Sequence, residues 1–213
     1  THYYGGIRKY QWLARPLAIH GVVVKADGSR VQLTIGEDPH DPVFSVLDLL
    51  PHLAKKTMDK KVSEAFEGEK LNVLVGSLPL GDADTKERVK LHLLKYLEDH
   101  YGIREEDLIS AELEVVPAGP ARDLGWDRSL VGGYGQDDRS CAYAALAALL
   151  DMQEPEHTCL ALFYDKEEIG SEGNTGARSF LLNEIVEILL ERQGESPQAR
   201  RRILMASKAL SAD

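Results

Sequence analysis

The chain has 213 residues, 43% of them hydrophobic and 28% charged, and carries a net charge of −10 at pH 7. Such values are ordinary for one large or two small globular domains. The acidic balance argues against nucleic acid and anionic membranes as partners, which need basic surfaces, and no apolar run approaches the ~20 residues of a membrane span. Cys141 and Cys159 lie in apolar contexts, which favours reduced thiols in a cytoplasmic protein.

The first half of the chain has the pattern of a β-rich unit. Residues 19–24 and 30–35 are β-branched runs separated by a turn that contains Asp27-Gly28. An Asp-Gly pair between two such runs is a strong signal for a β hairpin. Further strands are expected at residues 71–75 and 111–116.

Two helices are expected between these strands. One covers about residues 46–54, and the other covers about residues 85–100, where apolar residues recur at helical spacing. The intervening segment, residues 55–70, is charged and has few apolar residues. It is therefore predicted to be a surface loop.

The pattern changes to α/β after residues 117–120, Pro-Ala-Gly-Pro. A glycine-rich and then acidic loop at 132–139 precedes an Ala/Leu-rich segment, 140–152, that predicts a buried helix. The apolar run at 159–164 predicts a buried strand. An amphipathic helix is expected at 177–192, after a glycine-rich turn.

Glu167 and Glu168 follow directly after the predicted buried strand. In α/β folds ligands bind at the carboxyl ends of strands, where one carboxylate can ligate a metal while its neighbour moves protons. The structural alternative is an ion pair with Lys166 or Arg139. The sequence alone is compatible with both a metal-binding and an ion-pairing role for these two residues.

Two further acidic residues lie at boundaries of predicted elements, Asp137 and Asp213. Together with the Glu167-Glu168 pair they suit two closely spaced divalent ions, although Asp137 could instead cap the following helix. Sites of this type usually also contain histidine, and this half of the chain offers none at a convincing position. No phosphate-binding loop or hydrolase nucleophile motif is present.

Three motifs carry a family resemblance: Tyr-Gly-Gln-Asp-Asp-Arg at 134–139, Asp-Lys-Glu-Glu-Ile-Gly-Ser at 165–171 and Ser-Ala-Asp at 211–213. Together they resemble the aspartyl aminopeptidases, including the vacuolar aminopeptidase I-like members, over nearly the whole chain. The resemblance implies an α/β fold: a partial di-zinc exopeptidase-type catalytic domain that carries an inserted β-rich dimerisation domain. The expected divisions are residues 1–13 and 121–213 for the catalytic domain and residues 14–120 for the insert.

The same resemblance implies a role for each acidic residue. Asp137 matches the aspartate that bridges two metal ions, Glu168 a ligand of one ion and Asp213 a ligand of the other. Glu167 matches the catalytic base. The implied cofactors are two divalent ions, zinc in the first place, with cobalt or manganese as alternatives.

The implied activity is that of a metalloaminopeptidase that removes acidic or neutral N-terminal residues from peptides. The implied self-association is a dimer that builds a tetrahedral dodecamer. The family also has metal-binding histidines in one segment near each terminus, and neither matches this sequence. The chain is therefore expected to be an incomplete, inactive central piece. The alternatives are a non-catalytic oligomerisation module and a metal-free α/β binding domain.

Overall fold

The structure is a computed structural model that describes residues 2–3 and 5–212. The chain divides into two compact units. The first comprises residues 1–3 and 7–132, and the second comprises residues 4–6 and 133–213. The domain bounds expected from the family resemblance (1–13, 14–120 and 121–213) stay a prediction.

The first unit contains strands, α helices and 3-10 helices. Its strands are β1 Leu17–Val24, β2 Arg30–Ile35, β3 Ser45–Val46, β4 Val73–Leu74, β5 Glu112–Pro117, β6 Arg122–Leu124 and β7 Leu130–Gly132. Its α helices are α1 Lys55–Met58, α2 Val62–Ala65 and α3 Arg88–Tyr101, and its 3-10 helices are Lys9–Trp12, Gly68–Lys70 and Glu105–Ser110.

A three-stranded antiparallel sheet in the order β2-β1-β5 forms the centre of this unit. The predicted hairpin is confirmed: β1 pairs with β2, and Gly28 in the connecting turn has a φ of 83°. The predicted strand at 111–116 is confirmed as β5, on the other side of β1. The two strands approach closely at Gly21, where an added Cβ would lie 2.0 Å from the carbonyl oxygen of Glu112.

Helix α3 covers one face of this sheet. Val23, Leu33 and Ile103 are buried there, with α3 contributing Leu97 and Tyr101. The predicted helix at 85–100 is thus confirmed, although it begins at Arg88 because Glu87 has a left-handed backbone (φ 49°). It ends at Gly102, which is also left-handed and whose N–H bonds to the carbonyl of Glu98, a common helix ending.

The helix predicted at 46–54 is wrong. Ser45 and Val46 pair with β4, and residues 47–54 form turns and irregular structure. Pro51 explains this outcome, because a proline disfavours helical backbone at the preceding residue. The strand predicted at 71–75 is shortened to β4, and the loop predicted at 55–70 contains the one-turn helices α1 and α2.

The second unit is helical in its described residues. It contains α4 Gln136–Asp151, α5 Leu181–Arg192 and α6 Arg200–Ala206, with 3-10 helices at Glu167–Ile169 and Pro197–Ala199. Its core is small and consists of Val186, Leu190 and Ala199, packed against Leu182 and Leu204. The helix predicted at 177–192 is confirmed as α5, with a later start.

Two predictions about this unit are wrong. Helix α4 exists, but it contains no buried residue, and Tyr143 and Leu150 are exposed. The apolar run at 159–164 is not a strand, and Leu160 and Phe163 are exposed. A strand needs a neighbour with which to pair, and the described part of the second unit contains no other strand.

Across the residues that the structure describes, no helix is both long enough and apolar enough to cross a membrane.

Candidate active-site loops

Glu167 and Glu168 lie in a single 3-10 turn, Glu167–Ile169, in place of the predicted strand end. Left-handed residues bracket this turn, Lys166 (φ 68°) before it and Gly170 (φ 78°) after it. The N–H of Gly170 donates to the carbonyl of Glu167 at 2.8 Å, and the N–H of Ser171 donates to the carbonyl of Lys166 at 2.9 Å. The two exposed carboxylates are therefore carried by a tightly hydrogen-bonded backbone.

A second set of contacts closes the loop that contains this turn. The N–H of Asp165 donates to the carbonyl of Thr175 at 3.1 Å, and the Thr175 hydroxyl donates to Asp165 Oδ2 at 3.4 Å. Gly176 is buried, and an added Cβ there would lie 2.1 Å from the carbonyl oxygen of Ser171. The glycine-rich sequence thus allows the chain to fold back on itself beside the carboxylates.

Glu168 also packs against Gly5 and Gly6, which belong to the same unit. A Cβ added to Gly5 would lie 2.8 Å from the Cβ of Glu168, and one added to Gly6 would lie 3.8 Å from its Oε2. Sequence reasoning gave these two glycines no role at the site. The adjacent glycines were a possible signal, since glycine permits close approach of two backbones.

Asp137 lies in the other acidic loop, at the start of α4. It is the residue within α4 whose backbone is not helical (φ −84°, ψ 114°), and its peptide bond to Asp138 is cis. Gly135 precedes it in a left-handed conformation (φ 75°). Extended backbone of this kind is typical of an N-cap, so the capping interpretation of Asp137 stays open.

The two basic residues considered as ion-pair partners of the Glu167-Glu168 pair, Arg139 and Lys166, each contact an oxygen atom of a nearby residue. Arg139 Nη1 donates to the carbonyl of Tyr134 at 2.7 Å, which closes the loop that carries Asp137. Lys166 is largely buried, with 17% of its side chain exposed, and its Nζ lies 3.7 Å from Asp165 Oδ2.

The carboxylate side chains are chemically suitable zinc ligands, but too few of them lie close together in the described part of the chain to complete a site. Carboxylate oxygens are normal zinc ligands, and the exposed carboxylate of Glu168 is accessible to an ion. Within residues 2–3 and 5–212, however, no three His, Cys, Asp or Glu side chains lie close enough to hold a metal. Asp213 lies outside the described residues. The described residues therefore supply part of a metal site and not a complete one.

Comparisons with known proteins place the chain in one family. The family model described as "Aminopeptidase I zinc metalloprotease (M18)" matches residues 1–213. "Probable M18 family aminopeptidase 1" of Clostridium acetobutylicum is 51% identical over 214 residues, covering 100% of this chain and 46% of the relative. The protein of the same name from Thermotoga maritima is 54% identical over 194 residues, covering 91% of this chain and 42% of the relative.

Solved structures agree with these matches. A crystal structure of an M18 family aminopeptidase from Thermotoga maritima superposes with a TM-score of 0.84 at 53% identity, covering 92% of this chain and 43% of that one. Aminopeptidase I from Borrelia burgdorferi has a TM-score of 0.76 at 37% identity, covering 100% of this chain and 47% of that one. The chain thus has the α/β fold of these structures and spans less than half of their length.

Proposed function

The chain belongs to the M18 family of aminopeptidase I zinc metalloproteases, and from this premise we propose that the whole protein is an aminopeptidase. Its proposed reaction removes an acidic or neutral N-terminal residue from a peptide. The observation that carries the proposal is the match of the family model to all 213 residues. The hydrogen-bonded turn that presents Glu167 and Glu168 adds a physical reason, because adjacent carboxylates can divide metal binding and proton transfer.

Zinc is the proposed cofactor, as two ions per site, with cobalt or manganese as alternatives. Asp137, Glu168 and Asp213 are the residues that would hold these ions, and Asp137 is the ligand proposed for both. When bound, zinc would polarise the peptide carbonyl and favour deprotonation of water. The remaining donors would have to come from outside the described residues, because those residues do not bring three donors together.

Glu167 is the proposed catalytic base. Its position next to Glu168 suits this role, because successive residues of a 3-10 helix point about 120° apart. In an ideal turn of this kind the two side chains would leave the backbone in different directions, so only one of them needs to be a ligand. The Glu167 carboxylate would accept a proton from the attacking water and pass it to the leaving amine.

Residues 14–120 are proposed to be an inserted dimerisation domain, through which the protein would build a dodecamer. Apolar side chains exposed on the segment between β3 and α1 support this proposal: Leu47 is 66% exposed and Leu50 is 63% exposed. Exposed apolar side chains that cluster into a patch mark interaction sites, and these two leucines lie three residues apart in one segment. Leu50→Glu should reduce the assembly size measured by analytical ultracentrifugation, and an unchanged size would contradict this role.

The donor set is incomplete within the described residues, which bears on the 213 residues taken by themselves. We expect them to bind zinc weakly and to show no turnover, as a non-catalytic assembly module would. The cellular location that we propose is the cytoplasm.

Hydrolysis of aminoacyl fluorogenic substrates by the full-length protein tests the proposed activity. A panel with Asp, Glu, Ala and Leu at the N-terminus, assayed with added zinc, cobalt or manganese, would establish both residue preference and metal. Release of the N-terminal residue that stops on chelation is the expected result. Absence of hydrolysis across the panel with every metal would contradict the proposal.

A further inference from the structure

Gly5 combines a left-handed backbone with a close contact to Glu168. Its φ of +66° is left-handed, and the three atoms nearest to an added Cβ all belong to Glu168: Cβ at 2.8 Å, the carbonyl oxygen at 3.6 Å and Oε2 at 3.6 Å. Gly6 continues the contact, since the atom nearest to its added Cβ is Glu168 Oε2 at 3.8 Å. The backbone at residues 5–6 thus lies along Glu168 from its Cβ to its carboxylate.

Some other glycines of the chain have a left-handed backbone without a close neighbour. Gly170, Gly173 and Gly194 also have positive φ values, yet an added Cβ at each would meet nothing within 4 Å. These glycines are needed only for their backbone conformation. Gly5 needs the same backbone conformation, but it also has a close neighbour, because an added Cβ there would meet both the side chain and the carbonyl oxygen of Glu168.

We propose that Gly5 is a positioning residue for Glu168. A methyl group at position 5 would force the Cβ of Glu168 to move, because real Cβ atoms essentially never approach to 2.8 Å. Glu168 is exposed, so no surrounding core fixes its rotamer. The Gly5–Gly6 backbone lies close enough to limit where its carboxylate can lie.

The consequence concerns metal binding, and it rests on the ligand role proposed above for Glu168. Groups that orient a metal ligand typically contribute 10- to 100-fold to metal affinity. Gly5→Ala in the full-length protein should therefore weaken zinc binding by about 10- to 100-fold, measured by competition with a chromogenic chelator. This readout does not depend on turnover.

The matched control is Gly194→Ala. Gly194 lies in the same unit and has a similar left-handed φ of +73°, but open space at its Cβ position. Both variants should lower the thermal midpoint of the metal-free protein, because both place alanine in a left-handed conformation. Only Gly5→Ala should also lose zinc affinity. Equal zinc affinity in the two variants would overturn the proposal.

Glu168→Gln and the double variant separate this proposal from the one on which it rests. If Glu168→Gln binds zinc as wild type does, the ligand role is wrong, whatever Gly5→Ala shows. If Gly5 acts through Glu168, the double variant Gly5→Ala/Glu168→Gln should bind zinc no more weakly than Glu168→Gln alone. Additive losses would overturn the positioning role while leaving the ligand role intact.

Gly6→Leu decides the matter if Gly5→Ala does not fold. Gly6 does not have a left-handed φ, so leucine there brings no backbone strain of that kind, and its Cβ would make ordinary contact with Glu168 Oε2. Its larger side chain would crowd the carboxylate. We expect weakened zinc binding with little change in the thermal midpoint of the metal-free protein. Wild-type zinc affinity in Gly6→Leu would overturn the proposal.

Discussion

Asp165 and Thr175 hold together the two ends of the loop that carries Glu167 and Glu168. The backbone N–H of Asp165 donates to the Thr175 carbonyl at 3.1 Å, and the Thr175 hydroxyl donates back to Asp165 Oδ2 at 3.4 Å. The proposed base and metal ligand thus lie within a closed loop.

Removal of the Thr175 hydroxyl should loosen the loop slightly. Thr175→Val keeps the shape of the side chain and the backbone hydrogen bond, but it deletes the side-chain hydrogen bond to Asp165. Because this hydrogen bond is exposed, it should contribute about 1 kcal/mol or less to stability. Amide hydrogen exchange across residues 165–175 should become faster, while exchange in α5 stays unchanged. Thr175→Ser retains the hydroxyl and serves as the control. Equal exchange in the Val and Ser variants would contradict this role.

Gly176 should tolerate alanine much less well than Gly173. A Cβ at Gly176 would lie 2.1 Å from the backbone oxygen of Ser171, whereas one at Gly173 meets nothing within 4 Å. The Gly176 variant should lose about 3 kcal/mol of stability through overpacking, and the Gly173 variant about 1–2 kcal/mol through its left-handed backbone. Chemical denaturation and limited proteolysis measure the difference. A Gly173 variant that is the less stable of the two would be inconsistent with the structure.

Arg139 should hold in place the loop that contains Asp137, a proposed zinc ligand. Its guanidinium donates to the Tyr134 carbonyl at 2.7 Å and packs against Gly135, where an added Cβ would lie 2.7 Å from Nη1. Arg139→Ala should remove the hydrogen bond to Tyr134 that closes this loop. Zinc binding should weaken by about tenfold, as it does when a group that orients a metal ligand is lost. Arg178→Ala is the control, since Arg178 bonds Glu172 on the surface. Equal zinc affinity in the two variants would contradict this role of Arg139.

Asp107 should make stability depend on pH below about 4. Hydrogen bonds from the backbone N–H groups of Arg104 and Ala26 hold the pKa of Asp107 below its usual value of 3.8. A lowered folded-state pKa means that the stabilisation is fully present above the unfolded-state value and is lost as pH falls through the folded-state value. Asp107→Asn should therefore be destabilised at pH 7, and the deficit should shrink as the pH falls below about 4. Thermal midpoints of both proteins measured at pH 7 and at decreasing pH below 4 test this, and a deficit that stays constant would contradict the direction of the pKa shift.

Local signals in the sequence were sufficient for much of the first unit. The Asp27-Gly28 turn identified the β1-β2 hairpin, because a turn type depends on a few adjacent residues. The helical spacing of apolar residues identified α3, because this spacing is also a local property of the sequence. Only the start of the helix was misplaced, since Glu87 has a left-handed backbone. Pro51 was a local signal against a helix at 46–54 that the prediction did not weigh.

Features that depend on distant partners were not predictable in this way. The run at 159–164 has strand-like composition, but strand formation needs a pairing neighbour that the described part of the second unit does not contain. The burial expected for α4 likewise depends on what covers it. The contact of Gly5 with Glu168 joins residues far apart in sequence, and no periodicity encodes it. Motif resemblance, by contrast, indicated the family without any knowledge of these contacts.

The most direct test of the proposed catalytic function is aminopeptidase activity of Glu167→Gln in the full-length protein, measured together with its zinc content. Loss of a general base typically costs about 10²- to 10⁴-fold in rate, so activity should fall by that factor while zinc content stays at the wild-type level. Glu191→Gln, on exposed α5 surface, should retain full activity. Wild-type turnover by Glu167→Gln with normal zinc content would contradict the assignment of Glu167 as the base.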